Sequence, residues 1–122
     1  MSPKVYAHID LSYLDLMADG DAKLRRIMLK LLSEELPADF KKYHPLYEKR
    51  DWKELHRISH RMKTTLSFVG NEELTRLNAR IEKIVKTRTD LGQLPDLLEK
   101  IQKVYTKALE EIKEELAEAT TI

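Results

Sequence analysis

The sequence predicts an all-α protein, an antiparallel four-helix bundle with a short additional N-terminal helix, and three observations carry that expectation. Apolar residues recur at steps of three and four along most of the chain, no period-two strand pattern persists, and Gly20, Gly70 and Gly92 fall where the periodicity breaks. The opening segment is short: Asp10 is placed to cap a turn or two carrying Leu11, Leu14 and Met17, which is expected to lie across the other helices as a lid.

The second segment starts at Gly20-Asp21 and carries Leu24, Met28, Leu31, Leu32, Leu36, Phe40, Tyr43 and Tyr47 on one face. Pro37 and Pro45 interrupt it, and since each proline removes a backbone donor and crowds the preceding turn, a kink or split is expected near Pro37 and an end near Pro45. Asp51 followed by Glu54 resembles a capping box, so a third helix is expected from about Trp52 to Val69. Asn71 caps a fourth with Leu74, Leu77, Ile81 and Ile84 as its apolar row. Gly92 and Pro95 mark the turn into a last helix carrying Leu94, Leu98, Ile101, Tyr105, Ala108, Ile112 and Leu116.

At 122 residues, 42% of them hydrophobic, the chain fits a single domain, 1–122, with a frayed tail over about 117–122. A chain of this size hides roughly two thirds of its extended surface on folding and needs no disulfide or metal staple. With no cysteine, disulfides, thiolate metal sites and thiol catalysis are excluded. The 22 basic and 21 acidic residues leave a formal charge of +1, too little for a global field that draws in nucleic acid or an anionic membrane. No apolar run approaches the ~20 residues that span a bilayer, and the segment from Met1 to His8 lacks the apolar stretch of a signal peptide. The expectation is a soluble, cytoplasmic, monomeric protein.

The third helix carries the chemistry. Projected at about 100° per residue, Leu55, Ile58, Met62, Leu66 and Val69 fall within roughly 40° of Met62, with Ser59 and Thr65 at the margins, and form the buried stripe. His60 lies about 160° from Met62, surrounded by Lys53, His56, Arg57, Thr64 and Ser67, with Lys63 roughly 100° from it. An exposed neutral imidazole is a competent nucleophile near pH 7, because its ordinary pKa is ~6.5, and its phosphorylation needs access and nearby positive charge. Lys63, one turn on, reaches a phosphoryl group on His60 as a mobile charge, and Arg57 and Arg61 add to a cationic patch that the net charge conceals.

The run His60-Arg61-Met62-Lys63-Thr64-Thr65-Leu66-Ser67-Phe68-Val69-Gly70 resembles the active helix of histidine-containing phosphotransfer (HPt) domains, whose motif reads His-x-x-Lys-Gly followed by small and apolar residues and a second glycine. His60, Lys63 and Gly70 fall at matching spacings. Ile9 to Leu14 with Gly20-Asp21, Lys49-Arg50-Asp51-Trp52, and Leu74 to Glu82 are similar to family segments, so the resemblance takes in nearly the whole chain apart from its C-terminal few residues. Thr64 departs from the pattern, standing where the family has glycine, and bears on partner choice and transfer rate.

The resemblance implies a carrier in a His-Asp phosphorelay: His60 takes a phosphoryl group from a receiver-domain aspartate and passes it to another receiver, with Lys63 stabilising the charge. It implies response-regulator receivers and a hybrid sensor kinase as partners, with Mg²⁺ on the receiver and no cofactor in this chain. The sequence also lacks the glycine-rich nucleotide signatures of a kinase. His56, Arg57, Arg61, Thr64, Ser67 and Gly70 are candidates for the docking face or the active-helix motif. His56 and His60 stand four apart, but no third metal ligand is evident, so no metal site is expected. The alternative is a helical adaptor that binds receivers or other signalling proteins without transferring phosphoryl groups.

Overall fold

The computed structural model describes residues 5–120; Met1 to Lys4 and the last two residues of the expected frayed tail lie outside them. The described chain forms α1 (Ser12–Ala18), α2 (Ala22–Glu48), α3 (Trp52–Val69), α4 (Glu72–Thr87) and α5 (Leu94–Thr120), with a single 3₁₀ turn at Leu91–Gln93 before α5. Each long helix packs on its neighbour in sequence, α5 closes the ring against α2, and α1 lies over α2 and α3. This is the expected bundle with its N-terminal lid.

The long second helix differs from expectation. It runs unbroken through Pro37 and Pro45. The prolines leave the carbonyls of Ser33 and Lys41 without an intrahelical donor, and neither residue is buried. Leu29, Leu32, Leu36, Phe40 and Tyr43 are all buried, on both sides of Pro37. Side chains of this size stabilise by roughly 1.5–3 kcal/mol each, so together they outweigh a proline cost of about 3 kcal/mol. The buried row also corrects the expected face: Leu29 belongs to it, whereas Leu24 and Leu31 are exposed. In the opening segment, Leu11 and Leu14 are buried but Met17 is not.

Local chemistry sets the helix ends. The Asp21 side chain accepts from the amides of Lys23 and Leu24, and that of Asn71 from Leu74. Asp51 accepts from the Glu54 amide at 3.2 Å, but the reciprocal half of a capping box is absent: the Glu54 carboxylate turns to Arg57, and the Asp51 amide bonds the Leu46 carbonyl. Asp10 bonds the amide and hydroxyl of Ser12 from just ahead of the cap position, which Leu11 occupies. The stop of α4 is Arg88 in the left-handed region rather than Gly92, which sits inside the 3₁₀ turn. At its far end α5 runs to Thr120.

Candidate functional site

Three side chains of α3 and one of α4 make the site. His60 stands mid-helix with its side chain 67% exposed, as its place opposite the buried stripe requires. Its Nδ1 lies 2.9 Å from Oε1 of Glu82, a residue of α4 whose side chain is only 9% exposed. The Lys63 ammonium stands 2.9 Å from the other oxygen, Oε2, facing it as a charge without the alignment of a directed hydrogen bond. His56, one turn before His60, places its Nε2 4.0 Å from Glu82 Oε1.

Glu82 is charged in this setting. Burial pushes its carboxyl up, but the hydrogen bond from His60 and the charge of Lys63 outweigh burial and hold it below the usual carboxylate range. An ionised carboxylate can only accept, so the hydrogen of the His60–Glu82 bond resides on Nδ1. The lone pair of the neutral ring is then on Nε2, the nitrogen left free by Glu82.

A buried polar relay fixes the register between these helices. The Tyr43 hydroxyl of α2 donates to Asn78 Oδ1 at 2.6 Å, and Asn78 Nδ2 donates to the carbonyl of Ser59, the residue before His60, at 2.8 Å. Asn78 and Glu82 are one turn apart on α4, so the same helix grips the backbone and the ring of the reactive turn. Burial, aided by nearby Asp39 and Glu82, pushes the Tyr43 hydroxyl well above its ordinary range and keeps it a neutral donor.

The remaining candidates are not all at the site. Arg57 is exposed and engaged by Glu54 on its own helix; Arg61 reaches Asp39 of α2 at 2.8 Å. The expected cationic surround is therefore corrected: Glu54 of α3 itself partners Arg57, and α2 and α4 bring in Asp39 and Glu82, which a projection of α3 alone omits. Ser67 is exposed, with its hydroxyl turned back to the Thr64 carbonyl. Thr64 is exposed one turn beyond His60 and lines an apolar groove of about 270 Å³ with Met28, Leu31, Leu32 and Phe68.

Gly70 has another function. It lies about 15 Å along the axis from His60, caps α3 with φ +72°, and leaves room for the opening segment. A Cβ there would stand 2.1 Å from the Asp10 carbonyl oxygen, and the Asp10 amide bonds Val69 O at 3.0 Å. Its place in the motif is explained by seating the opening segment against the end of α3.

Sequence reasoning missed Glu82, Asp39, Asn78 and Tyr43 as parts of the site. Among the described residues no group of three or more metal-binding side chains is arranged to hold an ion, and no helix is long and apolar enough to cross a membrane.

The Hpt domain family model matches residues 27–120. The chain belongs to the Hpt domain family. The match begins inside α2, so it does not extend over the opening segment, and it includes the C-terminal helix. Neither the curated proteins nor the solved structures returned a match. Hpt domains act in two-component phosphorelays as histidine phosphocarriers rather than kinases, and work with receiver domains and kinases.

Proposed function

We propose that this Hpt domain accepts a phosphoryl group on Nε2 of His60 from a receiver-domain aspartate and passes it to a second receiver. The observation that carries the reading is the pairing of an exposed imidazole, through Nδ1, with a buried ionised carboxylate on another helix. It supports one nitrogen held as the proton carrier and the other presented as the nucleophile. Phosphoryl transfer is mostly positioning and charge stabilisation, and here Lys63 supplies the charge by swinging from Glu82 to the arriving phosphoryl oxygens. The divalent cation that such a transfer uses belongs, in this reading, to the receiver, and the chain itself holds no cofactor.

The partner docks beside His60 on apolar surface. The groove at Thr64 is bordered by Phe68, whose ring lies 5.1 Å from that of Tyr13 on the lid, and the same short helix exposes Leu16 and Met17. Thr64 stands between that surface and His60 and so bears on which receivers fit. The domain is read as a cytoplasmic monomer serving a hybrid sensor kinase and response regulators.

Incubation with a phosphorylated receiver tests this. An acid-labile, base-stable phosphoryl group is expected on the wild type and absent from His60→Gln. Label that survives the substitution overturns the assignment; receiver binding with no label on either protein identifies an adaptor instead.

A further inference from the structure

A carrier must release its cargo as well as take it, and the two directions ask different things of the imidazole. Acceptance needs a lone pair on Nε2. In donation the bond between phosphorus and Nε2 breaks, its electron pair returns to Nε2, and a new bond forms from phosphorus to the oxygen of an acceptor carboxylate or of water. If Nδ1 still carries its proton, the departing group is a neutral imidazole; if not, it is an imidazolate anion, a far poorer leaving group.

We propose that Glu82 is a positioning residue for donation, holding the proton on Nδ1 for as long as the phosphoryl group resides on His60. The inference rests on His60 being the acceptor. The proton does not move during the step: it stays on Nδ1, 2.9 Å from Glu82 Oε1, while the electron pair moves from the breaking bond to Nε2.

The surroundings strengthen that hold once the phosphoryl group arrives. Glu82 is shared in the resting protein between His60 and Lys63, each 2.9 Å from one of its oxygens. The phosphoryl group draws Lys63 outward, because the ammonium is a mobile charge on a flexible stem and its side chain is about half exposed. Glu82 is nearly buried and held by α4, so it cannot follow, and its charge then falls to His60 alone. Other charges facing the ring come from two helices: on α3, His56 at 4.0 Å from Oε1 and Arg61, and on α2, Asp39, paired with that Arg61, and Glu35 across the shared depression. Asp39 is thus occupied by Arg61, and Glu82 is the carboxylate bonded to the ring. The α4 neighbour one turn before Glu82, Asn78, is uncharged and engaged with Ser59.

The test uses the full chain loaded with phosphoramidate, the label mapped to His60 by mass spectrometry, and its loss to water followed from pH 5 to pH 10. In the wild type the loss rate is expected to stay level well into the alkaline range and then fall. In Glu82→Gln, which keeps the shape and removes the charge, the fall begins at lower pH and leaves the rate about tenfold below wild type near pH 8, the effect of a shift of one unit. Glu82→Asp restores part of the level range.

A Glu82→Gln profile that superimposes on wild type, or a Glu82→Asp profile that shows no recovery over Glu82→Gln, overturns the proposal. Failure to label His60 at all overturns the acceptor assignment instead, so the two are separable.

Discussion

His44 and His60 are each paired with a glutamate, and the contrast between the pairs shows what makes a histidine into a site. His44 Nε2 stands 2.6 Å from Glu48 Oε1, closer than His60 to Glu82, but both partners belong to α2 and both are about two-thirds exposed, at 65% and 64%. Water and salt screen such a pair, and its side chains lose freedom to form it, so it contributes little. Glu82 is 9% exposed and comes from a different helix, so its charge is screened less than that of Glu48 and its position is set by the bundle. A short distance does not distinguish the two. Burial of the carboxylate and its anchoring on another element do.

The sharpest way to break this comparison is to neutralise each glutamate in turn. Glu82→Gln is expected to slow phosphoryl acceptance from a phosphorylated receiver by about tenfold, a loss of about 1.4 kcal/mol of transition-state stabilisation, whereas Glu48→Gln leaves the rate unchanged. Equal effects of the two substitutions on transfer would remove the distinction.

A second expectation concerns the frame that holds Glu82 in place. Asn78→Ala strands the Tyr43 hydroxyl in the core and removes the second hydrogen bond to the Ser59 carbonyl, and is expected to cost about 1–3 kcal/mol of stability in urea unfolding. A cost near zero would mean that α3 keeps its register without the relay.

A smaller effect is pH-dependent. Because the Glu82 carboxyl is held below its ordinary value of 4.5, it contributes stability that is fully present above that unfolded value and is lost as pH falls through the lower folded value. The stability difference between wild type and Glu82→Gln is therefore expected to be level near neutrality and to shrink only in acid; a difference that grows in acid would contradict the direction of the shift.

The bundle itself was legible because periodicity is a property of one helix at a time. The rows Leu55 to Val69 and Leu74 to Ile84 read directly as buried faces, and His60 as the exposed point opposite the first. The uninterrupted α2 was not legible, since the local cost of Pro37 is visible in sequence while the packing of Phe40 and Leu36 that offsets it is not. Glu82 escaped notice for a related reason. On a projection of α4, Asn78 falls within about 40° of Leu74 and Val85, and Glu82 about 40° beyond Asn78, so a polar pair borders the apolar stripe. That signal marks a polar contact across helices but does not name its partner, which only the pairing of α3 with α4 supplies. The same omission made the surround of His60 look cationic when α2 and α4 bring carboxylates to it.

The central claim, that a buried Glu82 decides which nitrogen of His60 is free to react, is tested most directly by nitrogen-15 NMR of the imidazole rings at neutral pH. The account predicts that neutral His60 carries its hydrogen on Nδ1 and has an unprotonated Nε2, with that preference lost in Glu82→Gln and unaffected in Glu48→Gln. A His60 that carries its hydrogen on Nε2, or shows the same mixture of forms with and without Glu82, would contradict it.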